Sequence, residues 1–114
     1  MSSERMRRVD EAVREVLSAA LSEGLKDPRV GFVTVTDVKT TPDLRHARVF
    51  VSVLGDDAAR SASLDGLASA HGFLQARIGR ELRMKRTPTL EFRYDDTAER
   101  AARLTRLLDR TEAG

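Results

Sequence analysis

The sequence predicts a single α+β domain in the order α-β-β-α-α-β-α, with a three-stranded mixed sheet and helices packed on one face. Three observations carry that expectation. Apolar residues recur at intervals of three and four between Val9 and Leu21, β-branched runs fill 30–38 and 47–54, and Leu90, Phe92 and Tyr94 alternate with polar neighbours. The first pattern has the helical period and the other two have the period of strands. A chain of 114 residues suits one domain spanning 1–114, and its last residues, 110–114, read as a short polar tail that frays.

Each element has a local cause. Val9, Ala12, Val13, Val16, Leu17, Ala20 and Leu21 form the buried stripe of a first helix. Gly24 ends it, and Asp27-Pro28 forces extended backbone directly afterwards. The run VGFVTVTDV changes phase, with Val33 and Val35 on one side and Phe32 and Val38 on the other, so a bulge or two-sided burial is expected. Ala47, Val49, Val51 and Val53 share a face of the next strand, joined to the first through Thr40–Leu44 as an antiparallel hairpin. Asp56 and Asp57 are placed to cap a helix whose inward side includes Ala59, Ala62, Leu67 and Ala68. A second stripe, Leu74, Ile78 and Leu82, begins after Ala70-His71-Gly72, where glycine allows a change of axis. The third strand should run parallel to the second, because a helical crossover separates them. Asp96 and Glu99 have capping-box spacing ahead of a last apolar stripe, Ala101, Leu104, Leu107 and Leu108.

Composition removes several classes of function. With no cysteine and two histidines, thiolate catalysis and zinc-thiolate sites are excluded and no metal site is expected. The seven glycines fit no GxGxxG, no GxxxxGK[ST] and no GxxG pattern, so no phosphate cradle is marked. His46 and His71 stand in no nucleophile motif, and the pairs Asp56-Asp57 and Asp95-Asp96 precede helices, where capping accounts for them. No catalytic residue and no cofactor are expected. The longest apolar runs fall short of the ~18 residues of a membrane span and the N-terminus has no signal-like stretch, so the expected location is the cytoplasm and the expected state a monomer.

Charge points to nucleic acid by its distribution. Only Lys26, Lys39 and Lys85 among the 20 basic residues are lysine, the rest being arginine. Codon bias would give the same excess, so position matters more than number. Residues 77–86 carry Arg77, Arg80, Arg83, Lys85 and Arg86 against Glu81 alone, a net +4. At a spacing of three, Arg77, Arg80 and Arg83 make one inclined helical ridge opposite Leu74, Ile78 and Leu82, and Lys85 and Arg86 prolong it into the next loop. Such a ridge can follow a phosphate backbone by displacing its counterions. Arg5, Arg7 and Arg8 at the start, and Lys39 and Arg45 beside the hairpin loop, are secondary candidates. A protein-protein module without RNA contact is the alternative, and a hydrolase using unmarked carboxylates is a weaker third.

The αββααβ order, the segment LKDPRVGFVTVTDVKTTPDLRHARVFVSVLG from Leu25 to Gly55, Ala70-His71-Gly72, and RTPTLEFRYDDT from Arg86 to Thr97 together resemble the bacterial ribosome-binding factor A family. The likeness covers nearly the whole chain. It implies a type II KH-like fold whose usual GxxG loop is replaced by an Ala-x-Gly interhelical kink. It also implies binding to the free 30S small ribosomal subunit, assistance in late maturation and 5′-end processing of 16S rRNA, and a role in cold adaptation, all by binding rather than catalysis. His71 departs from the small polar residue common at the middle of that kink. Gly72 is expected to need its missing side chain, either for its backbone geometry or for a close approach.

Overall fold

A computed structural model of the protein describes residues 3–113. Its elements are α1 (Ser3–Glu23), β1 (Val33–Thr40), β2 (His46–Val53), α2 (Asp57–Ser69), α3 (His71–Leu82), β3 (Thr89–Tyr94) and α4 (Thr97–Ala113). The sheet order is β1-β2-β3, antiparallel between β1 and β2 and parallel between β2 and β3, as the crossover requires.

The phase change in β1 is a bulge. Val35 pairs with Val51 and Asp37 with Phe50, leaving Thr36 as the extra residue. Because one inserted residue reverses the alternation, Val33, Val35 and Val38 all turn to the same side. There they meet Ala47, Val49 and Val51 of β2 and Leu90 of β3, covered by Val13, Val16, Leu17 and Ala20 of α1, Leu67 of α2, and Leu74 and Ile78 of α3. The opposite face of the sheet, with Thr34, Lys39, Arg48, Ser52, Glu91 and Arg93, is exposed.

Helix ends follow from local chemistry. Gly24 closes α1 at φ +90°, a left-handed geometry that penalises any side chain, and its N–H donates to the Leu21 carbonyl at 3.1 Å. In the loop beyond, the Asp27 carboxylate accepts from the Arg29 guanidinium at 2.6 Å and from the Arg29 N–H at 2.9 Å. Arg29 also donates to Ser69 Oγ at 2.8 Å, tying this loop to the end of α2. The Arg29 side chain, then its backbone N–H, hold the Asp27 pKa down from 3.8 to about 2. A carboxyl lowered in the folded state adds stability that is complete above its unfolded pKa and lost as pH falls through the folded one. For Asp27 that window lies between 3.8 and about 2. An NMR titration of its side-chain carboxyl carbon is expected to show a midpoint near 2, and a midpoint at the ordinary carboxylate value would remove the Arg29 contact from solution.

The inward side of α2 differs from expectation. Leu67 is buried, but its companions are Ser63 and Gly66, while Ala59 and Ala62 are half-buried and Ala68 is exposed. A polar residue and a glycine do not register in an apolar pattern. Ser63 is tolerated because its hydroxyl accepts from the Gly31 N–H at 3.1 Å and donates to the Arg29 carbonyl at 3.4 Å. At the helix start, the Asp56 carboxylate accepts from the Ala59 N–H at 2.8 Å.

The break between α2 and α3 falls at Ala70, with φ −86° and ψ 2°, and lasts one residue. His71 Nδ1 donates to the Ala68 carbonyl at 2.7 Å, satisfying one acceptor that the ending helix leaves open. Gly72 lies inside the first turn of α3 without a left-handed backbone, and a Cβ built on it meets nothing within 4 Å. The expectation that this glycine is required is therefore corrected. Gly72→Ala is expected to keep the fold and raise stability by up to ~1 kcal/mol, since alanine is the better helix former; a lowered melting temperature would contradict it.

The last helix is the largest departure. Ala101, Leu104, Leu107 and Leu108 are not buried: side chains 97–110 are all exposed, and among the described residues α4 makes no extensive interface with another element. The tail expected over 110–114 is helical as far as Ala113, and Gly114 lies outside the described residues, as do Met1 and Ser2. The Asp96–Glu99 capping box is also absent. Asp95 accepts from the Thr97 N–H at 2.9 Å, whereas Glu99 accepts from the Tyr94 hydroxyl at 2.5 Å and from Arg60 at 3.2 Å. Arg60 stacks on the Tyr94 ring 3.7 Å from its centroid, so these three side chains fasten the first turn of α4 to α2 and β3.

Candidate nucleic-acid interface

The predicted ridge does not survive as one surface. The Arg77 side chain is only 14% exposed, and its guanidinium binds Glu23 at 2.9 Å and Glu81 at 2.5 Å. The Glu23 contact first, then Glu81, push its pKa further up. Arg77 is thus a clamp between α1 and α3, with its donors consumed inside the protein. Arg83 leaves the helical path: it takes a left-handed conformation at φ 54°, ψ 41°, and its N–H donates to the Gly79 carbonyl as the C-terminal cap of α3. Periodicity alone carries the helix through residue 83, because nothing in its pattern marks that end.

Four cations of the segment remain open to solvent. Arg80, Arg83, Lys85 and Arg86 are exposed and hold no ion pair among the described residues. Their loop is folded closely onto α3. A Cβ on Gly79 would lie 2.7 Å from the Thr87 methyl, so glycine there admits the returning chain. Cations at the C-terminal end of a helix also match its dipole.

Tertiary pairing then gathers further charges from distant sequence. The Thr89 N–H donates to the Arg45 carbonyl at 2.8 Å, which sets the 83–88 loop beside the start of β2. The Thr40 N–H donates to the Asp10 carboxylate at 2.9 Å, seating the early turns of α1 against the end of β1. One end of the sheet therefore carries Arg8, Lys39, Arg45 and the 83–86 loop. Arg8 and Arg45 are exposed without an ion pair among the described residues, and Lys39 stands 3.7 Å from Asp37. Arg5 is likewise exposed, whereas Arg7 is engaged by Glu4 at 2.9 Å. The Asp43 carboxyl in the hairpin loop is kept ionised, its pKa lowered first by the Thr41 hydroxyl and next by the Arg45 N–H.

Sequence reasoning passed over Arg48, exposed on the open sheet face, and Arg103, Arg106 and Arg110 on α4. Their signals were present: Arg48 alternates with the buried Val49, and the α4 arginines are spaced by three and four. At the other end of the domain, Gly24–Asp27, Ser69, Ala70 and Phe73 line an open cleft of about 400 Å³ beside the helix junction. No group of three or more His, Asp or Glu residues able to hold a metal ion occurs among the described residues. Nor is any described helix long and apolar enough to cross a membrane.

A family model described as ribosome-binding factor A matches residues 5–108. The chain belongs to the ribosome-binding factor A family. It is 46% identical over 108 residues to ribosome-binding factor A of Geobacter sulfurreducens, covering 95% of this chain and 92% of that protein. Identity to the Anaeromyxobacter sp. protein is 51% over 102 residues, 89% of this chain and 74% of the relative. Among solved structures, a Thermotoga maritima protein described as a putative ribosome-binding factor A superposes with TM-score 0.71 at 33% identity, covering 78% of this chain and 85% of that one. A homology model of the Thermus thermophilus factor, fitted into a cryo-electron-microscopy map of its complex with the 30S subunit, gives TM-score 0.60 at 28% identity, covering 81% and 92%. The α+β fold with three-stranded mixed sheet, read from the sequence as type II KH-like, is the fold of these relatives.

Proposed function

We propose that the protein is a cytoplasmic ribosome-assembly factor that binds the free 30S small subunit as a monomer and contacts 16S rRNA. It assists late 16S maturation and 5′-end processing and supports growth in the cold. It does this by binding and holding an RNA shape, with no catalytic step and no cofactor. Family membership supports the partner, together with the 30S complex known for the Thermus thermophilus relative. The observation that carries the mechanism is the convergence at one end of the sheet of Arg80, Arg83, Lys85, Arg86, Arg45 and Arg8, exposed and without an ion pair among the described residues.

Replacing Arg80, Arg83, Lys85 and Arg86 together by Gln tests this reading. Each phosphate contact contributes about 0.7–0.9 to the slope of log affinity against log salt, so the variant is expected to flatten that line by roughly 3 units. Stability should barely change, because exposed unpaired charges contribute little to folding. Arg77→Gln serves as the contrast: it should loosen the α1–α3 clamp while leaving the salt slope intact. An unchanged slope in the fourfold variant would remove this surface from the mechanism. Sedimentation of the tagged protein with full ribosomes rather than free small subunits would contradict the proposed partner.

A protein-protein module without RNA contact is the second reading. Phe32 and Leu54 favour it: they are 80% and 75% exposed, and the Leu54 N–H donates to the Phe32 carbonyl at 3.0 Å. Under that reading, association with small subunits would resist nuclease and depend weakly on salt.

A further inference from the structure

Seven of the 17 arginines are engaged by carboxylates of the chain. Arg7, Arg14, Arg29, Arg60, Arg77, Arg93 and Arg100 each meet a carboxylate within 4 Å. Among the described residues Arg103, Arg106 and Arg110 meet none, and all three are exposed on α4. At spacings of three and four they fall on one side of the helix. With a rise of 1.5 Å per residue, they mark about 10 Å along its axis. Leu104 and Leu108 occupy the other side and are 57% and 56% exposed. Among the described residues, Glu99 is held by Arg60 and Tyr94, and Asp109 shares the surface of Arg103, Arg106 and Arg110 without an ion pair within 4 Å.

The helix is held to the domain at its first turn. Its first turn is fastened through Glu99 to Arg60 and Tyr94, and through Asp95 to Thr97 and to Thr36 at 2.6 Å. Past that turn, its side chains 100–110 are all exposed. It also starts where β3 ends, whereas the Arg83–Arg86 cluster lies where β3 begins. Six strand residues separate the two, a distance of about 20 Å.

We propose that α4 is a second RNA-contacting arm, in which Arg103, Arg106 and Arg110 bind phosphates of ribosomal RNA at a place the Arg80–Arg86 cluster does not reach. Charge complementarity decides for this occupant. A nucleic-acid duplex presents one negative charge per about 1.7 Å of axis, so a 10 Å line of guanidiniums faces several phosphates at once. Arginine, planar and always charged, is suited to grip them. The inference rests on the proposed binding to the small subunit and adds a separate site to it.

The test is the salt dependence of binding to purified 30S subunits and to a naked 16S rRNA transcript, for the parent chain and for Arg103→Gln/Arg106→Gln/Arg110→Gln. Glutamine keeps helix propensity, and circular dichroism checks that α4 persists. The triple variant is expected to bind both probes about tenfold or more weakly at ~0.1 M salt, with a slope flatter by about 2–3 units. Parent-like affinity and slope would overturn the inference while leaving the sheet-end surface standing. Loss of 30S binding in Leu104→Gln/Leu108→Gln, with the arginine variant normal on both probes, would overturn it in favour of a protein partner on the apolar side. Failure of the parent chain to bind either probe would overturn this inference and the proposed function together.

Discussion

Leu67→Ala is expected to cost about 2–5 kcal/mol of folding stability, the range for deleting three buried carbons and leaving part of the space unfilled. Leu67 is completely buried on α2, and α2 is a principal cover of β3. It also lies one turn before Ala70, so the cavity opens beside the junction that orients α3. For a domain with ~5–15 kcal/mol in all, the loss is a large share. Urea unfolding should show a lower midpoint with an unchanged m-value, because the surface exposed on unfolding stays nearly the same. A midpoint equal to the parent's would mean that α2 does not face the core as described. Phe92→Ala should cost less than this class of change, since Phe92 only borders the core and is half-buried.

Gly66→Ala should also destabilise, against the direction that helix propensity predicts. In the middle of a solvent-facing helix, alanine would gain about 1 kcal/mol over glycine. Here the new Cβ would lie 2.6 Å from Val30 Cγ2 and 3.4 Å from both Arg29 Cβ and the Val30 nitrogen. Val30 cannot yield easily. Its β-branched side chain is stiff, and its loop is pinned to α2 by Gly31 N–H to Ser63 and by Arg29 to Ser69. Overpacking of this kind costs about 1–3 kcal/mol, enough to cancel the propensity gain and leave a net loss. Val30→Ala in the same chain removes the offending methyl and should restore much of the stability. A more stable Gly66→Ala protein, by thermal or chemical melting, would show that the loop does not sit against α2.

The contrast between Gly66 and Gly72 explains what could be read without coordinates. Local punctuation identified Ala70-His71-Gly72 as a break, and the break is there, at Ala70. The glycine that the packing needs, however, is Gly66, because a loop 36 residues away in sequence presses on it. No pattern within α2 contains that information. Ser63 is a parallel case: its burial makes sense only once the Gly31 N–H arrives to share it.

What the sequence alone determined are the properties set within one element or its neighbours. These include the number, type and order of the elements, the stripe that α1 buries, the glycine stop at Gly24, the cap at Asp56 and the change of phase in β1 that the pairing resolves as a bulge. Short-range periodicity and capping chemistry suffice for these because their causes lie within a few residues. Only the tertiary structure decided which charges are available. Arg77 sits in the right pattern for a ridge, but Glu23, 54 residues away, captures it from another helix. Arg45 lies far from Arg86 in the chain, but parallel pairing of β2 and β3 sets it beside the same loop. The amphipathic pattern of α4 was plain, yet whether its leucines meet a core depends on where β3 releases the helix, and it releases it into solvent. Side-chain chemistry is encoded residue by residue, whereas an ion pair or a buried face requires two surfaces to meet, and that meeting is a property of the folded chain.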